Sequence, residues 1–132
     1  MTDSTVCGCA CSAALKLIFS CSGGADVGEL SDRAARKLTC DGKGKMFCLA
    51  GIGGRVSGIV KSTEAASAIL AIDGCPLDCA RKCLEEAGFT GFLHLNLSQI
   101  GFVKGQSPID DENVAKAAQA GAALLESACA VK

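Results

Sequence analysis

Ala68-Ile69-Leu70-Ala71-Ile72-Asp73-Gly74-Cys75-Pro76 carries an unbroken apolar run into a glycine turn and then a proline. A short apolar run closed by turn chemistry is the pattern of a strand buried on both faces. Pro76 suits the first turn of a helix, where its missing N–H would have no partner, and Gly88 suits the left-handed position after a helix end. The stretch therefore predicts a strand over 68–73, a turn at Gly74-Cys75 and a helix from Pro76 to Ala87.

The same unit stands twice upstream. Lys16-Leu17-Ile18-Phe19-Ser20-Cys21 is a buried-strand run closed by Ser22-Gly23-Gly24, and Val27, Leu30, Ala34 and Leu38 follow at helical spacing, predicting a helix over 26–39. Lys45-Met46-Phe47-Cys48-Leu49-Ala50 predicts a second strand, Gly51-Ile52-Gly53-Gly54 its turn, and residues 56–68 a partly helical crossover. Downstream, Leu93, Leu95 and Leu97 alternate with His94, Asn96 and Ser98, the pattern of a half-exposed edge strand. After Pro108, the acidic Asp110, Asp111 and Glu112 open an Ala-rich helix running to about Ala128, with its acidic side chains at the positive end. Strands alternating with helices imply a single three-layer α/β/α domain over 15–132, built on a mostly parallel four-stranded sheet of Rossmann-like or flavodoxin-like type. Residues 1–14, with Cys7, Cys9 and Cys11 among small and polar neighbours, show no periodicity and read as a cysteine-bearing N-terminal arm.

Charge excludes some partners. Thirteen basic residues against 14 acidic ones, spread along the chain, give no footprint for nucleic acid or an anionic membrane. No apolar run approaches the roughly 18 residues needed to span a bilayer. Asp3 stands where a secretory signal carries a basic cluster, so a cytoplasmic location is expected. Ten cysteines would permit a disulfide scaffold, but no export signal is apparent and 49% hydrophobic residues can build a core without covalent staples. Reduced thiols used for metal or chemistry are the expectation.

Cys21, Cys48 and Cys75 are 27 residues apart in each step, about the length of one βα unit with its loops. Each falls at or near the C-terminal end of a predicted strand, the edge where open parallel sheets bind ligands. Cys79 lies four residues after Cys75, so its side chain shares a helical face with it. Four thiolates brought to one edge match the tetrahedral, sulfur-rich shell that zinc prefers, with Zn–S bonds of about 2.3 Å. Glycine turns and helix N-termini nearby can offset the negative charge, and the same placement lowers a thiol's pKa. Spacing leaves two rivals open: a thiol redox protein or enzyme in which Cys75 or Cys79 attacks, and an iron–sulfur cluster on the same four cysteines. No C-x-x-C pair occurs, which disfavours a thioredoxin-like site and a zinc ribbon. Cys83, next on the same helical face, suits packing or ligation; Cys40 and Cys129, near helix ends, are expected to pack. The arm's Cys7, Cys9 and Cys11 are secondary ligand candidates.

Three segments together resemble one family: Cys21-Ser22-Gly23 with Asp26-Val27-Gly28, Met46 to Gly54, and Ile72-Asp73-Gly74-Cys75-Pro76-Leu77-Asp78-Cys79-Ala80. The chain is similar, after its arm, to the DGC domain family, named for the Asp-Gly-Cys found here at 73–75. That resemblance implies a zinc-binding protein whose characteristic cysteines correspond to Cys21, Cys48, Cys75 and Cys79.

Weaker signals have plainer readings. Gly51-x-Gly53-Gly54 lacks the third glycine of a dinucleotide fingerprint, since Val56 stands there, and reads as a tight turn. His94 is expected to face solvent from the edge strand. Asp73 and Asp78 flank the cysteine turn; either could act as a base or hold a ligand in place, with Asp78 expected to be an exposed helical carboxylate.

Overall fold

The computed structural model describes residues 15–131; the arm at 1–14, with Cys7, Cys9 and Cys11, lies outside the described residues. Strand β1 (Lys16–Ser20) leads to helix α1 (Asp26–Cys40), then the two-residue strand β2 (Lys45–Met46), helices α2 (Leu49–Gly53) and α3 (Ser57–Glu64), and strand β3 (Ala68–Asp73). Helix α4 (Cys79–Glu86), strand β4 (Leu93–Asn96), a 3-10 turn at Leu97–Ile100 and the long helix α5 (Asp111–Val131) complete the chain.

The four strands pair in the order β2-β1-β3-β4, every pair parallel. This is the flavodoxin-type order, in which β1 and β3 are neighbours and the chain turns outward in opposite directions from them. Their register, Leu17 to Ile69 through Ser20 to Ile72, extends without a break. Because side chains alternate across a strand, Ile18, Leu70 and Ile72 point to one face and Leu17, Phe19 and Ala71 to the other. The first set packs under α1 and α5 with the fully buried Leu30, Leu38 and Leu125. The second packs under α2, α3 and α4 with Ile52, Ala80 and Leu84. Each such leucine contributes about 1.5–3 kcal/mol by leaving water, which is why continuous apolar strands need cover on both faces. The expected three-layer architecture is the one observed.

Lys16 opens β1 yet is only 5% exposed; its ammonium donates to the backbone carbonyl of Leu125 at 3.0 Å, which ties β1 to α5. Gly88, with φ of 95°, ends α4 in the left-handed conformation, as expected.

Two local expectations fail. Strand β2 stops at Met46 rather than Ala50: Phe47 N–H still reaches Ile18 O at 2.8 Å, but Cys48 already precedes α2, which absorbs the supposed turn at 51–54. Phe47, Leu49 and Ile52 suit a short helix as well as a strand, and the edge-to-face contact of Phe47 with Phe19, 6.1 Å between ring centres, favours folding the segment back onto the sheet. Helix α4 begins at Cys79, not Pro76, for a reason that belongs to the site.

Candidate functional site

Parallel strands put their C-terminal ends at one edge, and Cys21, Cys48 and Cys75 each follow such an end. Cys21 continues β1 by one residue, its N–H donating to Ile72 O of β3 at 3.0 Å. Its Sγ is 3.1 Å from Ser31 Oγ. Ser31 donates its own hydroxyl proton to Gly28 O at 2.8 Å, so within this pair the Cys21 thiol is the donor. Gly74 explains how the Cys75 turn comes so close: a β-carbon there would stand 2.5 Å from Val27 O of α1, a space only glycine leaves open. Cys75 is half-buried behind it, and its carbonyl accepts from Asn96 Nδ2 at 2.9 Å.

Cys79 opens α4 directly after Asp78, whose backbone is left-handed at φ 58°; Ser22, directly after Cys21, is also left-handed at φ 49°. Backbone strain of this kind, held next to two of the four cysteines, fixes where the thiols emerge. The N–H groups of Ala80 and Arg81 donate to the carboxylate of Asp73, at 2.7 and 3.1 Å. That buried carboxylate, reaching across from the end of β3, starts α4 at Cys79 and leaves Pro76 in the preceding turn.

The same capping alters the thiol's chemistry. A helix N-terminus was expected to lower a cysteine pKa, but the Cys79 thiol is pushed up. Burial of its sulfur contributes most, although the residue reaches the surface, followed by the negative charge of Asp73 and then by Cys75, Cys21 and Cys83. Asp73 already holds two of the helix's free N–H groups, so little of its positive end remains for a thiolate.

His94 and Asp78 do not sit as the sequence suggests. His94 is 20% exposed, and its Nε2 lies 2.8 Å from Asp73 Oδ2 and 3.4 Å from Asp78 Oδ1. Asp78 precedes the helix and is 17% exposed, its Oδ1 accepting from Asn96 Nδ2 at 2.6 Å and its Oδ2 paired with Arg81 at 3.2 Å. The polar face of β4 is turned towards the start of α4, where these partners satisfy it. Asn96, unremarked in the sequence, joins Cys75 O to Asp78; a polar residue alternating with leucines does not announce a partner on another strand.

Between the ends of β1 and β2, α1 and α2 lies an open cleft of about 1170 Å³, lined by Cys21, Cys40, Cys48 and Cys83 with Met46 and Phe47 among its apolar walls. Cys40, expected to pack, is exposed here. Cys83 is half-buried and faces α2: a β-carbon at Gly53 would lie 4.0 Å from its Sγ. The side chain of Cys129 lies outside the described residues.

The donor chemistry at this edge is rich in sulfur. Among the described residues, one group of three metal-ligating side chains has all its donor atoms within 4.8 Å, and it is Asp73, Asp78 and His94; the cysteines form no such group. Its carboxylate oxygens are engaged by backbone and side-chain donors, which accounts for it as a hydrogen-bonded cap. The thiols fit a soft ion by ligand type, and Cys48 and Cys79 both reach the surface. Among the described residues no helix is long and apolar enough to cross a membrane.

Comparison with known proteins agrees with the motif. A family model described as the DGC domain matches residues 17–120. The anaerobic and virulence modulator AnvM of Pseudomonas aeruginosa PAO1 is 39% identical over 90 residues, covering 68% of this chain and 69% of the relative. No solved structure matches. With the matched region running from β1 into α5 and enclosing the Asp73-Gly74-Cys75 turn where it packs on α1, the chain belongs to the DGC domain family.

Proposed function

We propose that this protein holds a zinc ion through the thiolates of Cys21, Cys48, Cys75 and Cys79 at the C-terminal edge of its sheet. The observation that carries the reading is the position of Cys21. It leaves the sheet at the β1/β3 switch point, close enough to Cys79 to act on its thiol, and it lines the same cleft as Cys48. A bound zinc would neutralise the charge that four thiolates concentrate there. Burial of its sulfur and the charge of Asp73 raise the Cys79 pKa, which disfavours a nucleophilic role for that thiol. Free thiols of this kind suit a reducing compartment, the cytoplasm.

The Pseudomonas relative is named as a modulator. We carry that description over as a regulatory role.

The test is metal analysis and an absorption spectrum on anaerobically purified protein, with variants dialysed against a competing chelator. Cys75→Ser and Cys79→Ser should each lose zinc, since a hydroxyl is a harder and less readily ionised ligand, while Cys129→Ser keeps it. Metal release needs protonated thiolates, so retention should fail as pH falls, and at higher pH in the two site variants. Visible charge-transfer bands with bound iron would assign the site to an iron–sulfur cluster instead. Equal zinc in all variants would remove the quartet.

A further inference from the structure

Asn96 is the last residue of β4, opposite Asp73 in the register with β3, and is 3% exposed. An amide this buried needs partners at both of its ends. Its Nδ2 donates to Cys75 O at 2.9 Å and to Asp78 Oδ1 at 2.6 Å, and its Oδ1 accepts from the Ser98 N–H at 2.8 Å and from the Ser98 hydroxyl. A carbonyl and a carboxylate only accept, and an N–H only donates, so these partners allow one orientation of the amide.

The two acceptors of Nδ2 are the two ends of one turn. Asp78 N–H donates to Cys75 O at 3.3 Å, closing Cys75-Pro76-Leu77-Asp78 with proline second, where its fixed φ suits a tight turn. Asp78 then takes the left-handed conformation, φ 58° and ψ 45°, and the chain enters α4 at Cys79. An aspartate keeps that backbone only where its surroundings hold it. Arg81 at 3.2 Å and His94 at 3.4 Å also meet the Asp78 carboxylate, but both contacts are longer and more exposed than that of Asn96. We infer that Asn96 is a positioning residue: from the sheet it clamps the turn at Cys75 and Asp78 and so fixes how Cys75 and Cys79 are presented at the edge. This rests on the zinc reading for what the two thiols are placed to hold, while the clamp itself does not depend on a metal. A side chain bound to a ligand residue rather than to the ion changes affinity through the placement of that ligand.

Asn96→Ser in the full-length chain tests the inference. Serine keeps an oxygen able to cap the Ser98 N–H, but its single hydroxyl proton cannot serve Cys75 O and Asp78 together. In metal-free, reduced protein, site-resolved mass spectrometry of iodoacetamide labelling should show Cys75 modified about fivefold faster than in the parent, the opening that loss of one hydrogen bond allows. Cys21 and Cys83, half-buried like Cys75 but outside the turn, should keep their parental rates. Competition with a chromophoric chelator should show zinc held about tenfold more weakly. Asp78→Gly tests the same tie from its other end if Asn96→Ser does not fold by far-UV circular dichroism: glycine takes the left-handed conformation without strain, yet the turn loses its carboxylate anchor, and Cys75 should again be the thiol that speeds up. Equal acceleration of all three thiols would assign Asn96 to general stability and overturn the inference, as would an unchanged Cys75 rate or, in a parent that binds zinc, an unchanged affinity. A parent that binds no zinc overturns the metal reading alone, and the labelling pattern then decides the clamp.

Discussion

His94 Nε2 lies 2.8 Å from Asp73 Oδ2, so the single histidine of the chain ties edge strand β4 to the buried carboxylate that starts helix α4. Asp73 is 1% exposed and also accepts from the N–H groups of Ala80 and Arg81. One side chain therefore joins β3, β4 and α4 at the point where Cys75 and Cys79 emerge.

Replacing that carboxylate should cost more than replacing its partner. Asp73→Ala uncaps α4 and leaves two backbone donors without partners, a loss of about 2 kcal/mol from capping and hydrogen-bond magnitudes. His94→Ala removes one hydrogen bond, about 1 kcal/mol. Urea denaturation of both variants checks the ranking; losses of equal size would mean that Asp73 does not act as the cap.

Gly74→Ala forces a β-carbon to within 2.5 Å of Val27 O, and because the obstacle is backbone, the turn or α1 must move. Overpacking of this kind costs about 1–3 kcal/mol. The variant should unfold at lower denaturant and, on the proposed zinc site, retain less metal than the parent because the displaced turn carries Cys75. Unchanged stability would show that the turn has room to shift.

Cys79 should alkylate slowly. Its raised pKa means that thiolate appears only at higher pH than for an ordinary cysteine. In metal-free, reduced protein, Asp73→Asn removes the largest charge contribution to that shift and should speed iodoacetamide labelling of Cys79 at pH 8. Site-resolved mass spectrometry reads the rate. No acceleration would mean that burial alone sets the thiol.

Asp26 governs acid behaviour at the far loop. Its carboxylate accepts from Gly105 N–H and Ser107 N–H as well as Val27 N–H, and those bonds, Gly105 foremost, hold its pKa below the ordinary 3.8. A lowered carboxylate stabilises the fold above its unfolded pKa and ceases to do so as pH falls through the folded one. Asp26→Asn should therefore melt below the parent at pH 7, with the gap closing below about pH 4. A gap independent of pH would assign the effect to packing.

Much of the architecture was legible from apolar runs and turn residues. Ala68–Asp73 is a strand within the bounds read from its sequence, α1 runs one residue past its expected end, and Gly88 closes α4. These are local signals, set by side-chain periodicity and by backbone conformations that glycine alone adopts freely. The 27-residue spacing of Cys21, Cys48 and Cys75 followed from the same regularity, because repeating βα units return the chain to one edge.

What periodicity cannot carry is the identity of a partner on another element. The sequence by itself determined an α/β domain with cysteines after three parallel strands. Only the tertiary structure decided that α4 starts at Cys79, because the cap comes from Asp73 across a turn. It alone placed His94 and Asn96 against that turn and Cys40 in the cleft with Cys48. The physical reason is common to all of these: a polar or sulfur side chain finds its environment from whichever groups the packed layers bring beside it, and that proximity is fixed by strand order and register rather than by the residues next to it in the chain.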